Sequence, residues 1–277
     1  MGYRCWLKGI FGVVAALMMS GTGLASDLAP FRGEQGNLRI SGGTAHIPVM
    51  KEAAARIMAF NPDIRITIAG GGSGAGIKQA GEGLVDIGNS GRKPKAGEIE
   101  KYGLVMHKWA VDGVTAVVNP GNPVKALTAE QLRDIYAGKI ASWNALGGED
   151  RGINLYTRDA SSGTRAVFWK KALGKGDISG KANFVASNGA MKSAVTSDPY
   201  AVGYVSVGYL DDSVAPVTLD NVVPSLETVK DGTYAVARGL YSNTKGAPKG
   251  LAKKFIAYLL SPEGQAIAVD KGFIPVR

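Results

Sequence analysis

Residues 38–62 read LRISGGTAHIPVMKEAAARIMAFNP and contain three consecutive structural patterns. Leu38-Arg39-Ile40 predicts a short strand, and the glycines at 42 and 43 predict a loop. From Ile47 to Phe60 the apolar residues recur at helical spacing, and Asn61-Pro62 ends that pattern. A strand, a glycine loop and a helix in succession favour a parallel α/β sheet, in which helices connect neighbouring strands.

The same pattern recurs along the chain. Predicted strands end in loops of glycine and hydroxyl residues within residues 64–76, 85–91 and 153–164. The segment Trp109–Val118 predicts a pair of strands joined by a turn at Asp112-Gly113, and two helical patterns at 249–260 and 263–271 close the chain. Open α/β sheets bind ligands at the carboxyl ends of their strands. We therefore expect the glycine loops to face a ligand.

Composition excludes several classes of protein. The chain has 277 residues, of which 45% are hydrophobic and 20% charged, which is ordinary for a globular protein. The single cysteine, Cys5, excludes a disulfide framework and a cysteine-based zinc site. With only His46 and His107, a His-rich metal centre and a Ser–His–Asp hydrolase are not expected. We expect no cofactor, no metal and no catalytic residue.

The N-terminus resembles an export signal. Arg4 and Lys8 precede an apolar run, and small residues follow up to Ala25, so residues 1–25 are predicted to be a cleaved signal peptide. Cys5 precedes the apolar run, so we expect a periplasmic protein without a lipid anchor. Removing these two cations lowers the formal charge from +9 to +7, which suits an anionic partner. Long basic runs are absent from the sequence, so nucleic acid is not the expected partner.

Four loops combine glycine with hydroxyl side chains directly after a predicted strand. A helix N-terminus offers free N–H groups and partial positive charge, glycine lets the backbone approach a ligand, and a hydroxyl adds a donor. Together such loops can bind a small oxyanion, although each alone is also typical of a plain helix cap or turn. The four loops lie at residues 41–44, 72–74, 89–91 and 161–164.

Arg158 adds a cation to the last of these loops. A guanidinium at this predicted strand end can bind two oxygens of one anion, whereas the alternative is a surface ion pair with Asp159. Enzyme motifs are weak by comparison. Residues 70–75 match a dinucleotide fingerprint only formally, because the acidic residue expected about 20 positions later is missing, and the chain has no P-loop.

The separated motifs resemble those of the periplasmic phosphate-binding proteins of ABC importers, from about Leu38 to the C-terminus. Three segments are similar to the phosphate loops of that family, and the third is the most specific: residues 43–49, residues 72–79, and Arg158 with residues 162–164. The resemblance implies an α/β, two-lobed type II periplasmic-binding-protein fold, with mixed sheets flanked by helices and a ligand cleft between the lobes. It also implies that residues 26–113 and 236–277 form one lobe and residues 114–235 the other.

The resemblance further implies a monomer that captures inorganic phosphate and delivers it to a membrane permease without catalysis. The residues that it places at the phosphate are Thr44, Ala45, Ser73, Ser90, Arg92, Arg158, Ser162, Gly163 and Thr164. Closure of the lobes would bring the two groups of donors together.

One position departs from the family pattern. Where the family carries an aspartate that accepts the proton of phosphate, this chain has Gly91, followed by Arg92. Asp159 is an alternative acceptor. The physical ground for rejecting sulfate is therefore weaker, and a binding protein for sulfate, molybdate or another oxyanion remains an alternative. An exported phosphatase and a sensor or adhesion role are further alternatives.

Overall fold

The computed structural model describes residues 26–276, so the predicted signal peptide lies outside the described residues. The strands are β1 Gly36–Gly42, β2 Ile64–Gly71, β3 Ile87–Ser90, β4 Leu104–Val118, β5 Ala126–Leu127, β6 Asn154–Thr157, β7 Asn183–Phe184, β8 Ala201–Ser206, β9 Ala215–Pro216, β10 Thr218–Leu219, β11 Ala237–Lys245 and β12 Ile274–Pro275. The α-helices are α1 Ile47–Phe60, α2 Gly72–Gly81, α3 Ala96–Tyr102, α4 Ala129–Ala137, α5 Gly163–Lys171, α6 Asn188–Ser197, α7 Leu226–Lys230, α8 Gly250–Leu259 and α9 Pro262–Asp270.

The main sheet is mixed, as expected. Its strand order is β2-β1-β3-β11-β4-β8-β6-β7. The first three strands are parallel, β11 is antiparallel to both β3 and β4, and β6 is parallel to β8 and to β7. The glycine loops after β1, β2, β3 and β6 therefore follow strand ends, where α/β sheets place their ligands.

The strand β4 corrects one prediction. Residues 104–118 form a single strand of 15 residues instead of two strands joined at Asp112-Gly113. Residues 104–113 pair with β11, and residues 114–118 pair with β8. Asp112 is tolerated inside the strand because its buried carboxylate binds Arg238 and the hydroxyl of Ser206.

Two separate apolar cores give the molecule its two lobes. The first lobe is built around a core that includes Leu38 and Ile40 of β1, Val49 of α1 and Phe255 of α8. The core of the second lobe consists of residues between Val114 and Val236, with Ile274. The predicted lobe boundaries stay a prediction. Among residues 26–276, no helix is long and apolar enough to cross a lipid bilayer.

Close backbone contacts hold α2 against the strands of the first lobe. A Cβ atom added at Gly88 would lie 2.0 Å from the carbonyl oxygen of Gly76, and one at Gly42 would lie 2.4 Å from that of Asn89. Only glycine allows this approach. Consequently, the N-terminus of α2 and the loops after β1 and β3 lie next to one another.

Candidate functional site

A small cavity lies where the loops of the two lobes meet. Its volume is about 10 Å³, far below the roughly 300–1,000 Å³ of pockets for drug-sized ligands. This size suits a small ion better than a sugar or a nucleotide. Its walls are formed by Gly43, Thr44, Ala45, His46, Gly72, Ser73, Gly91, Arg158, Ser162, Gly163, Thr164 and Arg238.

Thr44 contributes a buried hydroxyl from the first lobe. It opens the short 3-10 helix Thr44–His46 that leads into α1. Its Oγ1 accepts hydrogen bonds from the backbone N–H of Asn188 at 3.2 Å and from Asn188 Nδ2 at 3.0 Å. Because these donors occupy the oxygen lone pairs, the hydroxyl hydrogen of Thr44 is available to a ligand in the cavity.

Ser73 occupies the first turn of α2. The turn into this helix requires Gly71 and Gly72, whose φ angles of 120° and 86° lie in the region that favours glycine. Ser73 Oγ accepts a hydrogen bond from the backbone N–H of Gly91 at 2.9 Å. As with Thr44, the hydroxyl hydrogen is left free to donate.

The second lobe contributes the N-terminus of α5. Ser162 caps this helix, and its Oγ accepts from the N–H of Arg165 at 3.2 Å. Gly163 and Thr164 form the first turn, where backbone N–H groups have no carbonyl partner within the helix. The hydroxyl of Thr164 accepts from Asn188 Nδ2 at 3.3 Å. This end of α5 therefore presents donors and the positive end of the helix dipole.

Asn188 connects the hydroxyl groups of the two lobes. Its side chain is fully buried and donates both to Thr44 and to Thr164. Its own oxygen accepts from the backbone N–H of Ser206 at 3.0 Å. This role was not predictable from the sequence, since Asn188 lies outside the predicted glycine loops and contacts the two threonines only in the folded chain.

Arg158 is almost completely buried beside the cavity, with an exposed fraction of 1%. Its Nη2 donates to the carbonyl oxygen of Ala186 at 2.9 Å, and its Nε has no hydrogen-bond partner among residues 26–276. Burial lowers the pKa of the guanidinium. A buried cation with an unused N–H is costly by itself and is stabilised by an anion.

A second guanidinium, Arg238 on β11, also lines the cavity, and the sequence analysis did not identify it. Its Nε donates to Asp112 Oδ2 at 2.8 Å, and its Nη2 lies 2.7 Å from the same oxygen. Arg238 follows no glycine loop, and its acidic partner is 126 residues away. No local motif could have revealed this pair.

Two predicted residues are placed differently from the expectation. The structure does not bring Arg92 to the cavity, because its guanidinium makes two bonds of 2.8 Å to the carboxylate of Glu98. Ser90 is buried near the cavity, but its hydroxyl donates to the carbonyl oxygen of Arg92 and accepts from Asn243 Nδ2. Both side chains are therefore already satisfied, and Gly91 between them faces the cavity.

Asp159, the alternative acceptor, also binds elsewhere. Its Oδ1 accepts from the backbone N–H of Ser161 at 2.7 Å and from the Ser161 hydroxyl at 2.5 Å. These bonds, together with the nearby Arg158, outweigh the opposing effect of burial and lower the pKa of Asp159. No Asp or Glu occurs among the described residues that line the cavity.

His46 is the titratable group of the cavity wall other than the arginines. Burial, reinforced by the positive charge of Arg238, lowers the pKa of His46 from 6.5 to about 3. The ring is therefore neutral near pH 7, and it packs edge-on against Trp109 at 5.6 Å between centroids. Within residues 26–276, no group of three or more His, Cys, Asp or Glu residues could hold a metal ion.

This chain is similar to known proteins over most of its length. A family model described as a PBP superfamily domain matches residues 30–263. The phosphate-binding protein PstS of Bacillus subtilis is 40% identical, over 95% of this chain and 90% of that protein.

Two solved structures have similar folds. One is a putative phosphate ABC transporter substrate-binding protein from Clostridium perfringens, solved with bound phosphate. It superposes with a TM-score of 0.81 at 36% sequence identity, and the match covers 87% of this chain and 100% of the Clostridium chain. An ABC-type phosphate transport receptor from Vibrio cholerae superposes with a TM-score of 0.68 at 33% identity, with the same coverage of both chains. The chain belongs to the PBP superfamily and, within it, to the family of the phosphate-binding proteins PstS.

Proposed function

We propose that this protein captures inorganic phosphate in the cavity between its lobes and delivers it to the membrane permease of an ABC importer. The observation that carries the proposal is the convergence of hydroxyl donors, a helix N-terminus and the buried Arg158 on one small cavity. The similar proteins from Bacillus subtilis and Clostridium perfringens are a phosphate-binding protein and a putative substrate-binding protein of a phosphate ABC transporter, which supports this ligand. Outside the cell membrane, in the periplasm, such a protein would act as a soluble monomer without catalytic activity.

The proposed ligands come from both lobes. Thr44, Ala45 and Ser73 would bind phosphate oxygens from the first lobe, and Arg158, Ser162, Gly163 and Thr164 would bind them from the second. The lone pairs of all four hydroxyl oxygens in this set receive N–H donors, which leaves the hydroxyl hydrogens for the anion. Ser90 and Arg92 are not included, because their polar groups bind within the protein.

The number of donors agrees with the energy that binding requires. A micromolar dissociation constant corresponds to about −8 kcal/mol, and the anion first loses its hydration. Neutral hydrogen bonds contribute only about 0.5–1.5 kcal/mol each, and charge-assisted bonds about 1.5–3 kcal/mol. Arg158 alone is therefore insufficient, and the combined donors of the two lobes are needed. Phosphate would consequently favour the form in which the lobes touch.

The direct test is titration calorimetry of the anion-free protein with phosphate. We expect Arg158→Gln to weaken phosphate binding at least about 100-fold, because a buried charge-assisted contact is lost. Arg133→Gln, which changes an exposed arginine on α4, is the matched control and should bind normally. Unchanged affinity in Arg158→Gln would remove Arg158 from the site, and no phosphate binding by the unmodified protein would refute the proposed function.

A further inference from the structure

A second pocket lies in the second lobe, at the end of the sheet that is remote from the cavity. Arg158 of the cavity follows the last residue of β6, whereas Tyr200 of this pocket directly precedes β8, which is parallel to β6. The turn after β4 forms another wall. Within residues 26–276 the two pockets share no lining residue. The walls of this second pocket, the Tyr200 pocket, include Asn122, Pro123, Trp143, Glu149, Pro199 and Tyr200.

The Tyr200 pocket has rigid apolar walls. Pro123 and Pro199 line it together with Trp143 and Tyr200. The indole Nε1 of Trp143 donates to the backbone carbonyl oxygen of Tyr200 at 3.0 Å, and the Tyr200 hydroxyl donates to Glu149 Oε2 at 3.2 Å. These bonds orient both rings before a ligand arrives, which lowers the entropy cost of binding. The pocket volume of about 190 Å³ is smaller than that of pockets for drug-sized ligands and admits a small ring.

Asn122 provides a hydrogen-bond donor without a protein partner. The residue is only 4% exposed, and it lines the pocket. Its Oδ1 accepts from the backbone N–H of Val124 at 2.9 Å, while its Nδ2 donates to no group among residues 26–276. A nearly buried N–H group without an acceptor costs free energy, which a ligand oxygen in the pocket would recover. The pocket therefore suits a ligand with a carbonyl oxygen.

The rim of the pocket carries negative charge. The exposed carboxylate of Glu149 accepts the Tyr200 hydroxyl, which leaves most of its lone pairs free. Asp150 beside it is also exposed, and the guanidinium of Arg151 lies 5.8 Å from the centroid of the Tyr200 ring. Two carboxylates and one guanidinium make this rim net acidic, in a chain whose formal charge is +9. Charge complementarity therefore favours a cationic group beside the part of the ligand that enters the pocket.

A proline within an extended peptide matches these features. Its ring is small and apolar, the carbonyl groups beside it are acceptors, and it brings no N–H group that apolar walls would leave unpaired. Extended proline segments also lose little entropy when they bind to aromatic-lined grooves. A saccharide suits the pocket less well, because each of its hydroxyl groups would need a partner and the walls are mostly apolar.

We propose that the Tyr200 pocket binds a proline of an extended segment in a partner protein, with a basic residue of that segment beside Glu149. The proline ring packs against Pro123, Pro199 and Tyr200, and a carbonyl oxygen of the segment accepts from Asn122 Nδ2. This interaction goes beyond phosphate capture and does not depend on it, because the pocket is built from other residues of the described chain.

Titration of the isotopically labelled protein, followed by nuclear magnetic resonance, tests the site directly. The probe is an acetylated and amidated tripeptide of two prolines followed by arginine. We expect saturable shifts of the side-chain amide of Asn122 and of the backbone amide of Tyr200, with a dissociation constant below about 1 mM. The same peptide with alanines in place of both prolines should bind at least about 10-fold more weakly.

Two variants test the polar contacts. Asn122→Asp keeps the acceptor oxygen of the turn but removes the free donor, so it should weaken the peptide at least about 10-fold. Glu149→Gln keeps an acceptor for the tyrosine hydroxyl and removes the charge. It should abolish the preference that the unmodified protein shows for arginine over alanine after the prolines. The matched controls, Asn37→Asp and Glu130→Gln, change exposed residues outside the pocket and should bind the peptide normally.

Three results would overturn the inference. They are an absence of shifts with about 10 mM of the probe, unchanged affinity in Asn122→Asp, and shifts of the Asn122 amide with N-acetylglucosamine but not with the peptide. If Asn122→Asp does not fold, Glu149→Gln on the exposed rim decides, because an arginine preference that is equal in the variant and the unmodified protein contradicts the proposal. Phosphate affinity, measured by calorimetry, should be unchanged in both variants, so failure of this inference leaves the phosphate function standing.

Discussion

His46 lines the cavity, and its buried imidazole packs against Trp109 in the core of the first lobe. Its ring nitrogens have no hydrogen-bond partner within residues 26–276, and burial with the nearby Arg238 lowers its pKa to about 3. In the unfolded chain the same group has a pKa near 6.5. Between these values the unfolded chain binds a proton that the folded chain does not, so protonation favours unfolding.

We expect the stability of the anion-free protein to fall below pH 6.5 because of His46. At pH 5.5 the loss from this group is about 1.4 kcal/mol relative to neutral pH, as one unit of pKa difference corresponds to about 1.36 kcal/mol. Urea unfolding at pH 7.5 and 5.5 measures it, and His46→Gln should remove this part of the pH dependence. His107→Gln, which changes a half-buried histidine, should retain it; equal pH dependence in His46→Gln and the unmodified protein would contradict the prediction.

Residue-level roles were only partly predictable from the sequence. Thr44, Ser73 and Ser162 line the cavity, and this placement was predictable because each lies in a glycine loop or at a helix start, where local patterns are informative. Arg238 and Asn188 could not be identified, because their partners are far along the chain. For Arg92 a local motif predicted a contact with the ligand. In the structure its guanidinium binds Glu98 on the next helix instead, a contact that the motif does not show.

At the scale of elements, the position of α2 depends on glycines, which have no side chain to keep the helix away from the neighbouring strands. The strand β3 and the helix α2 approach so closely that the Cβ of an alanine at 88 would overlap the carbonyl oxygen of Gly76. A backbone atom cannot move aside as a side chain can. This contact also places Ser73 at the cavity, so packing and binding depend on the same glycines.

We expect Gly88→Ala to destabilise the protein by at least about 1–3 kcal/mol, the usual cost of overpacking. Thermal or urea unfolding without anion measures the loss. Gly180→Ala is the matched control, since no atom lies within 4 Å of its Cβ position. If Gly88→Ala were as stable as Gly180→Ala, the close approach of α2 and β3 would not be a requirement of the fold.

The elements themselves were largely predictable. Alternation of strand and helix patterns predicted the α/β class, and the helical pattern predicted from Ile47 to Phe60 forms α1 with the same bounds. The interpretation of 109–118 as two strands was wrong because Asp-Gly is a common turn signal. In the folded chain Asp112 is held by Arg238, a compensation that local sequence cannot show.

At the scale of the whole molecule, the two lobes contact each other directly through hydrogen bonds beside the cavity. The hydroxyl of Tyr209 in the second lobe donates to the carbonyl oxygen of Thr44 in the first at 2.7 Å. The N–H of Gly74 in the first lobe donates to the carbonyl oxygen of Ser161 in the second at 3.0 Å. These bonds stabilise closure in addition to any bonds to the anion.

We expect Tyr209→Phe to shift the anion-free protein toward the open form and to weaken phosphate binding about 2- to 10-fold. The estimate follows from the roughly 0.5–1.5 kcal/mol of a neutral hydrogen bond, because the phenol is removed without removing a proposed ligand. Small-angle scattering and calorimetry measure the two effects. Tyr102→Phe, outside the cavity, is the control, and identical scattering and affinity in Tyr209→Phe would show that this contact does not affect closure.

The strand β4 is a member of both halves of the sheet, and this has a mechanical consequence. At the point where it changes partners, the N–H of Val114 donates to the carbonyl oxygen of Val236 at 2.8 Å, so the covalent path between the lobes is itself hydrogen-bonded. Opening of the cleft between the lobes therefore has to proceed by a small twist of the hydrogen-bonded strands, because within residues 26–276 no unpaired loop is available here as a free hinge. Deuterium uptake at the backbone amide of Val114 should accordingly stay slow while the two lobes open and close.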